Sequence, residues 1–293
     1  MQNFLSGNKD SLSKKASYLR FSAKTLVENL KLGSFRSLYK GQGVEFSGVR
    51  EYLRGDDVRA IDWNVTARMG RPYVKVFDEE HELQIFLVVD RSASMFCGVN
   101  GIVKYETVAE TAALLALVAE SSESPIGAVF FDGEIHFSCK PASGKERTML
   151  LLSKLDKVEK IKEGSVLANA IQGATKLLKN RSLVFVISDF RSTGWEEPFK
   201  LLAQKNDVVA LRVTDTFDFE LPDMGSVPFV DSETGISCVL PTSTEGLKSA
   251  WKEDFKYRTQ KWKDFCIRHG ASPLSISTEE DVVRVLSSFF LGN

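Results

Sequence analysis

The feature that most constrains the fold is a short apolar run that ends in a carboxylate. Residues 83–89 read Leu-Gln-Ile-Phe-Leu-Val-Val and lead directly into Asp90, and two hydroxyl residues, Ser92 and Ser94, follow at alternate positions. A run this short and this rich in β-branched residues predicts a strand buried on both faces, as in a parallel sheet covered by helices. Open α/β sheets bind their ligands at the carboxyl ends of such strands.

The polar residues after this strand suggest a metal site. Asp90, Ser92 and Ser94 can bring three hard oxygen atoms to one point, and hard oxygens are the ligands that Mg²⁺ and Mn²⁺ prefer. An alternative interpretation is a strand followed by a capped helix, because Asp and Ser are both favoured N-cap residues. These residues alone leave both interpretations open.

Two later segments favour the metal site. Residues 182–188 form a second apolar run that also ends in an aspartate, Asp189, and Ser165 lies just before a helical pattern. The arrangement resembles the von Willebrand factor A (VWA) domain and its metal-ion-dependent adhesion site, which combines Asp-x-Ser-x-Ser, a loop Thr and a later Asp. Ser165 stands where Thr is usual, so it keeps the hydroxyl but lacks the stiffening methyl group. The resemblance implies one Mg²⁺ or Mn²⁺ ion and the ligands Asp90, Ser92, Ser94, Ser165 and Asp189.

Residues 41–68 form an unusual block of glycines, aromatic residues and charges of both signs. One interpretation is a folded extension in which arginines pair with carboxylates and aromatic side chains serve as apolar anchors. The other is a catalytic acidic cluster around Asp56, Asp57 and Asp62. We favour the first, because the arginines roughly balance the acids. The expected anchors are Phe46, Tyr52 and Trp63.

The same block carries a closer family resemblance. It contains Gly43-Val-Glu-Phe46, Arg50-Glu-Tyr52 and the segment from Gly55-Asp-Asp to Trp63-Asn-Val-Thr-Ala-Arg68, and it continues through residues 71–77 into the Asp90 strand. This resembles the bacterial and archaeal family called domain of unknown function fifty-eight, whose members carry a VWA-like domain. Members are commonly encoded beside MoxR-type AAA+ ATPases, so the resemblance implies such an ATPase as partner. It does not imply a reaction.

The alternation of strand and helix patterns along the rest of the chain predicts the fold class. We expect an α/β protein with a mostly parallel central sheet and helices on both faces, VWA-like and Rossmann-type. Residues 1–80 are expected to form an amino-terminal helix and an Arg/Asp/Trp-rich extension packed on the core, and residues 81–293 the VWA-like domain. Asp132-Gly133 predicts a hairpin turn. Residues 71–77 are expected to pair with the Asp90 strand.

Composition excludes several functional classes. The chain has 293 residues and a formal charge of −1, from 38 basic and 39 acidic residues, which gives no electrostatic basis for binding nucleic acid. No apolar run reaches the roughly 18 residues of a membrane span. Residues 1–7 lack the features of a signal peptide, and the cysteines form no Cys-x-x-Cys pair. We therefore expect a cytoplasmic protein without a membrane span. We also expect no P-loop, because the chain contains no Gly-x-x-x-x-Gly-Lys-Ser/Thr sequence.

The function predicted from these features is a metal-ion-dependent protein-binding module rather than an enzyme. Its partner would be a MoxR-type AAA+ ATPase, a client protein that offers a Glu or Asp to the metal, or both. One alternative is a metal-dependent phosphoester hydrolase, in which metal-bound water is the nucleophile. Another is a structural domain with a vestigial metal site, which is favoured by the presence of Ser165 where Thr is usual.

Overall fold

The computed structural model describes five stretches of chain and part of an amino-terminal helical segment. The contacts place residues 37–83 in a small compact unit, and residues 84–293 with the amino-terminal segment in a larger one. The predicted role of residues 1–80 as one extension packed on the core stays a prediction. The described residues are 45–78, 83–99, 102–157, 162–230 and 236–291, with Tyr18, Leu19, Ser22, Ala23, Lys24 and Leu26.

The small unit is built on a two-stranded antiparallel sheet. Strand β1 (Glu45–Glu51) pairs with strand β2 (Tyr73–Asp78), and between them lie a 3₁₀ turn (Val58–Ala60) and helix α1 (Trp63–Met69). The expectation that the β2 segment pairs with the Asp90 strand is therefore wrong. Alternation within one strand indicates which side chains share a face, but the strand with which it pairs is decided by the rest of the fold.

The acidic residues of the small unit are used in folding. Asp56 accepts hydrogen bonds from both terminal nitrogens of Arg50, at 2.6 and 2.7 Å, and a further one from the backbone N–H of Leu53. Together these hydrogen bonds lower the pKa of Asp56 to about 2. Asp57 and Asp62 accept backbone N–H groups at the starts of the 3₁₀ turn and of α1. These contacts support a structural block over a catalytic acidic cluster.

The aromatic residues of this block differ from expectation. Trp63 is 66% exposed, so the prediction that it is an apolar anchor is wrong. It is the first residue of a two-turn helix whose partly covered side chains are instead Val65 and Thr66. Tyr52 is half-buried. The side chain of Phe46 lies outside the described part of the structure.

The strands described in the larger unit are β3 (Ile85–Asp90), β4 (Gly98–Val99), β5 (Ile102–Val103), β6 (Ile126–Phe131), β7 (Ile135–Ala142), β8 (Leu183–Ser188), β9 (Asp207–Thr214), β10 (Ser226–Val230), β11 (Ser237–Pro241) and β12 (Ser272–Ser277). Six of them form one sheet in the order β12-β9-β8-β3-β6-β7. Neighbouring strands of this sheet are parallel except β7, which returns antiparallel to β6 through the predicted Asp132-Gly133 turn. The other four form two small antiparallel pairs, β4-β5 and β10-β11.

Helices cover both faces of this sheet. The described helices that follow β3 are α2 (Lys104–Ser121), α3 (Lys145–Asp156), α4 (Leu167–Leu177), α5 (Glu196–Lys205), α6 (Thr216–Phe219), α7 (Glu245–Arg268) and α8 (Val282–Leu291). On one face, α4, α5 and α7 pack in a core cluster with alternate strand residues such as Val184 and Val186. On the other face, Phe290 of α8 lies edge-on to Phe185 at 6.4 Å between ring centroids, and α2 packs against β3 and α8.

The predicted fold class is confirmed. Strands β3, β6 and β8 are buried along their whole lengths, as expected for strands covered on both faces. Within the stretches that the structure describes, no helix combines the length and apolar character that crossing a membrane requires. Three aromatic residues of α7 face the interior of the larger unit, because Trp262 is buried and Phe255 and Phe265 are partly covered.

Candidate metal-binding site

The strand order places a switch point, where open α/β sheets form a crevice, at the carboxyl end of β3. The chain leaves β3 on one side to form β6 and later returns on the other side as β8, so the loops that follow β3 and β8 diverge. Such switch points are where α/β sheets bind ligands. Asp90 ends β3, and Asp189 directly follows β8, the parallel neighbour of β3. The structure therefore places these two aspartates at adjacent strand ends.

Asp90 is a buried carboxylate with hydrogen bonds but without a salt-bridge partner among the described residues. It is 1% exposed; its Oδ1 accepts from the backbone N–H of Ser92 at 2.8 Å, and its Oδ2 accepts from the Ser188 hydroxyl at 2.6 Å. Burial and the negative charge of Asp189 raise the pKa of Asp90 to about 7. A cation beside Asp90 would therefore favour its charged form.

The two serines of the motif lie beside each other next to Asp90. The Oγ atoms of Ser92 and Ser94 are 3.2 Å apart, and both residues are buried. Ser92 occupies the N-cap position of the 3₁₀ turn Ala93–Phe96, but its side chain makes no capping hydrogen bond. Its hydroxyl oxygen is therefore not used as a cap, which weakens the capping interpretation of the motif.

Ser165 lies in the loop before α4. Its Oγ atom is buried and has no hydrogen-bond partner among the described residues, although buried hydroxyls normally have one. The β6–β7 turn holds this loop, because the Asp132 carbonyl accepts from Val166 N–H at 2.8 Å and the backbone of Gly133 lies against Glu163. The described hydrogen bonds do not connect Ser165 to the other four predicted ligands.

Asp189 has a cationic partner that sequence reasoning missed. The ammonium group of Lys104, the first residue of α2, lies 3.1 Å from Asp189 Oδ2 and 3.7 Å from Asp218 Oδ2, and all three side chains are buried. Arg191 completes the network at 2.6 Å from Asp218 Oδ1. Burial favours the neutral form of Asp189, but Lys104 and Arg191 outweigh it and lower the pKa of Asp189.

A sequence signal for Lys104 did exist. A lysine at the first position of a helix is unfavourable next to the positive end of the helix dipole, and the residues of α2 that follow are mostly apolar. A cation in that position needs a nearby anion. Asp218 had no comparable signal, because it belongs to the single-turn helix α6, where it also completes a capping box with Asp215.

The donor set is compatible with a hard divalent cation. Among the described residues no three His, Cys, Asp or Glu side chains form a metal-holding group, so a site here would depend on hydroxyls as well as carboxylates. Asp90 without a counter-charge, the paired hydroxyls of Ser92 and Ser94, and the unpartnered hydroxyl of Ser165 fit such an ion. Asp189 fits less directly, because Lys104 already neutralises it.

The chain is similar along most of its length to mycobacterial proteins. It is 28% identical over 281 residues to the uncharacterised protein Rv1480 of Mycobacterium tuberculosis, which covers 92% of this chain and 87% of that protein. An uncharacterised protein of Mycobacterium bovis, Mb1516, matches to the same extent.

The chain is also similar to a solved structure and matches a family model. The conserved hypothetical protein BatB of Bacteroides thetaiotaomicron is similar at 18% identity and a TM-score of 0.44, over 72% of this chain and all of that one. The family model described as "Protein of unknown function DUF58" matches residues 48–261. That stretch contains most of the small unit and both strand-end aspartates. The chain therefore belongs to the DUF58 family, as its sequence predicts.

Proposed function

We propose that this chain is a protein-binding module that holds one divalent cation, Mg²⁺ or Mn²⁺, beside Asp90 and receives a carboxylate from its partner there. The observation that carries the proposal is Asp90 itself, a buried carboxylate at a strand-end crevice with hydroxyls beside it and no cationic partner among the described residues. Asp90, Ser92 and Ser94 would hold the ion, with Ser165 and Asp189 as further ligands.

The chemistry of this donor set suits binding. A hard cation with few charged ligands stays electrophilic and keeps an open position that a Glu or Asp side chain of another protein can take. Lys104 and Arg191 contribute by neutralising Asp189 and Asp218, which keeps the crevice from being strongly negative and so lowers the repulsion of an incoming carboxylate.

The first partner we propose is a MoxR-type AAA+ ATPase. The family resemblance supports this choice, since members of the family are commonly encoded beside such ATPases. The module would then link the ATPase to a client protein, or regulate it, during the assembly or maturation of a protein complex.

Calorimetric titration with Mg²⁺ and capture of the ATPase test the proposal together. We expect Mg²⁺ to bind and to raise the free energy of unfolding by about 2.7 kcal/mol at a hundred times its Kd. ATPase capture should be lost with EDTA and restored with Mg²⁺. Asp90→Ala should abolish metal binding and capture, whereas Glu253→Ala, a change at an exposed acid of α7, should leave both intact.

Two outcomes would overturn the proposal. Capture that survives both EDTA and Asp90→Ala would remove the site from the interface. Metal-dependent turnover of a phosphoester by the purified protein, lost in Asp90→Ala, would favour the hydrolase alternative.

A further inference from the structure

The larger unit contains a cavity of about 450 Å³ that the proposed function does not use. It is bounded by the loop after β8, by Arg212 on β9, and by one side of α7. Among its lining residues are four cationic side chains and one carboxylate, together with four aromatic rings. Small-molecule sites commonly occupy roughly 300–1,000 Å³, so the cavity has the size of such a site.

Arg212 is the least expected cation in this cavity. It is only 5% exposed, and within the described part of the chain no carboxylate lies within salt-bridge distance of its guanidinium group. Its contacts are a hydrogen bond from Nη1 to Thr259 Oγ1 at 3.0 Å and two aromatic rings, Phe255 and Trp262, at 5.4 and 5.7 Å from Cζ. Buried cations are normally paired with anions, but the carboxylates whose charge reaches Arg212, Asp218 and Asp189, form their close ion pairs with Arg191 and Lys104 instead.

The other three cations of the cavity differ from Arg212, because each is either paired with a carboxylate or exposed. Arg191 and Arg258 already have carboxylate partners, Asp218 at 2.6 Å and Asp254 at 2.7 Å. Lys261 is exposed at the rim and makes no ion pair with a described residue, and the lining carboxylate, Glu196, is also exposed. In the interior of the cavity, Arg212 is therefore a positive charge without a carboxylate of the described residues in direct contact.

Several lining residues also keep polar atoms that have no hydrogen-bond partner within the described structure. Three of the atoms are N–H groups that can only donate, and the fourth is a hydroxyl. Buried donors without acceptors are rare in folded proteins, and four such atoms on residues that line one cavity fit a ligand rich in acceptor oxygens. They are Arg212 Nε, Arg258 Nε, Trp262 Nε1 and Ser192 Oγ.

Aromatic rings, packed edge-on or tilted against one another, provide an apolar wall next to these donors. Phe190 lies 5.1 Å from Trp195 and 5.6 Å from Trp262 between ring centroids, and Phe265 lies 5.2 Å from Trp195. The backbone of Phe190 has a φ of 55°, a left-handed conformation that bulky residues rarely adopt and that is often found at functional sites. This strained residue turns the chain so that its ring joins the aromatic group.

We propose that this cavity binds a phosphate monoester joined to a planar ring, as in a nucleoside monophosphate. The acceptor-rich, negatively charged phosphate matches Arg212 and the unpartnered donors. The ring would pack against the apolar aromatic wall, where edge-to-face contacts are favourable, and would occupy volume that inorganic phosphate alone would leave empty. This site is separate from the proposed metal-dependent binding and does not rest on it.

Titrations of the purified full chain test the ligand class. They are followed by calorimetry and by tryptophan fluorescence, with EDTA present so that no metal can hold the phosphate. We expect AMP or phenyl phosphate to bind, and inorganic phosphate, adenosine and benzoate to bind at least about tenfold more weakly, because each lacks one part of the recognised group. Binding of AMP alone would indicate a nucleotide, and binding of both a general ring phosphate.

Variants of the lining residues test the location. Arg212→Met should weaken binding at least about tenfold, since it removes the buried charge. Lys261→Ala should weaken it by about threefold, as expected for an exposed charge. Lys263→Ala, a change at an exposed lysine two positions away that does not line the cavity, should leave binding unchanged, and so should Asp90→Ala. If Arg212→Met does not fold, the comparison of Lys261→Ala with Lys263→Ala shows whether the ligand binds in this cavity.

Three outcomes would overturn the inference. They are the absence of binding of AMP and phenyl phosphate at millimolar concentration, benzoate binding as tightly as phenyl phosphate, and equal effects of Lys261→Ala and Lys263→Ala. Because the metal is absent and Asp90 is not needed, these failures are distinguishable from a failure of the proposed metal-dependent function.

Discussion

At the scale of single residues, the electrostatics of the strand-end crevice can be measured through the titration of Asp90. Without metal, the folded pKa of Asp90 is about 7, against a usual value of 3.8. The folded state therefore keeps a proton that the unfolded chain releases, and this contribution to stability is lost as pH rises toward 7.

This titration predicts a pH profile. In EDTA, the free energy of unfolding should fall between pH 5 and pH 7 and change little further by pH 8, apart from groups that titrate in every variant. Asp90→Asn, whose amide can accept from Ser92 N–H and donate to Ser188 Oγ, should remove this fall and be more stable than the wild type at pH 8. Urea denaturation at each pH provides the measurement, and identical profiles for the two proteins would contradict it.

Lys104 allows a second prediction at this scale. Replacing it with Met leaves Asp189 and Asp218 without their shared ammonium group, and an uncompensated buried charge costs about 3–5 kcal/mol. Chemical denaturation should show a loss of this size for Lys104→Met and almost none for Lys176→Met, at an exposed lysine of α4. Equal losses in the two variants would mean that the network contributes little.

The functional residues that the sequence predicts differ from those that it does not predict in how local their sequence signals are. Asp90 and Asp189 were predictable, because a carboxylate that ends a buried strand is visible in the sequence itself. Lys104 was missed because lysine on a helix is normally a surface residue, and only the three-dimensional fold brings it to Asp189. The metal ligand set itself stays a prediction.

At the scale of elements, apolar periodicity located most strands and helices, since buried runs and amphipathic stripes are properties of one segment. The pairing of β1 with β2 was not predictable in this way, because a ladder is a property of two segments. The exposure of Trp63 was missed for a related reason: a large aromatic residue is assumed to be covered, and nothing within α1 indicates whether another element covers it.

Two tryptophans on helices test this contrast. Trp262 on α7 is 5% exposed, and Trp262→Ala should cost about 3–5 kcal/mol of unfolding free energy. Trp63 on α1 is mainly exposed, so Trp63→Ala should change stability by less than about 1 kcal/mol. Thermal or chemical denaturation compares the two variants directly. A large loss for Trp63→Ala would show that this side chain is covered in solution.

At the scale of the whole molecule, charge is nearly balanced, with 38 basic and 39 acidic residues. Long-range attraction to a charged partner is therefore weak, and a binding site based on a metal should depend on the ion more than on the salt. We expect partner affinity to change less between 50 and 300 mM NaCl, which shortens the screening length by a factor of about 2.4, than on addition of EDTA. Surface plasmon resonance measures both, and the opposite order would indicate generic electrostatic association.

The contact between the β6–β7 turn and the Ser165 loop has a consequence for how this chain can vary. A Cβ atom at Gly133 would collide with the backbone carbonyl of Glu163, so any other amino acid at this position would push the loop away. Position 133 therefore limits the sequences that can maintain the loop geometry, although it contributes no oxygen to the site. In a natural variant or an engineered library, a change there would disturb the Ser165 loop while every candidate ligand remained in the sequence, and inspection of the ligands alone would overlook it.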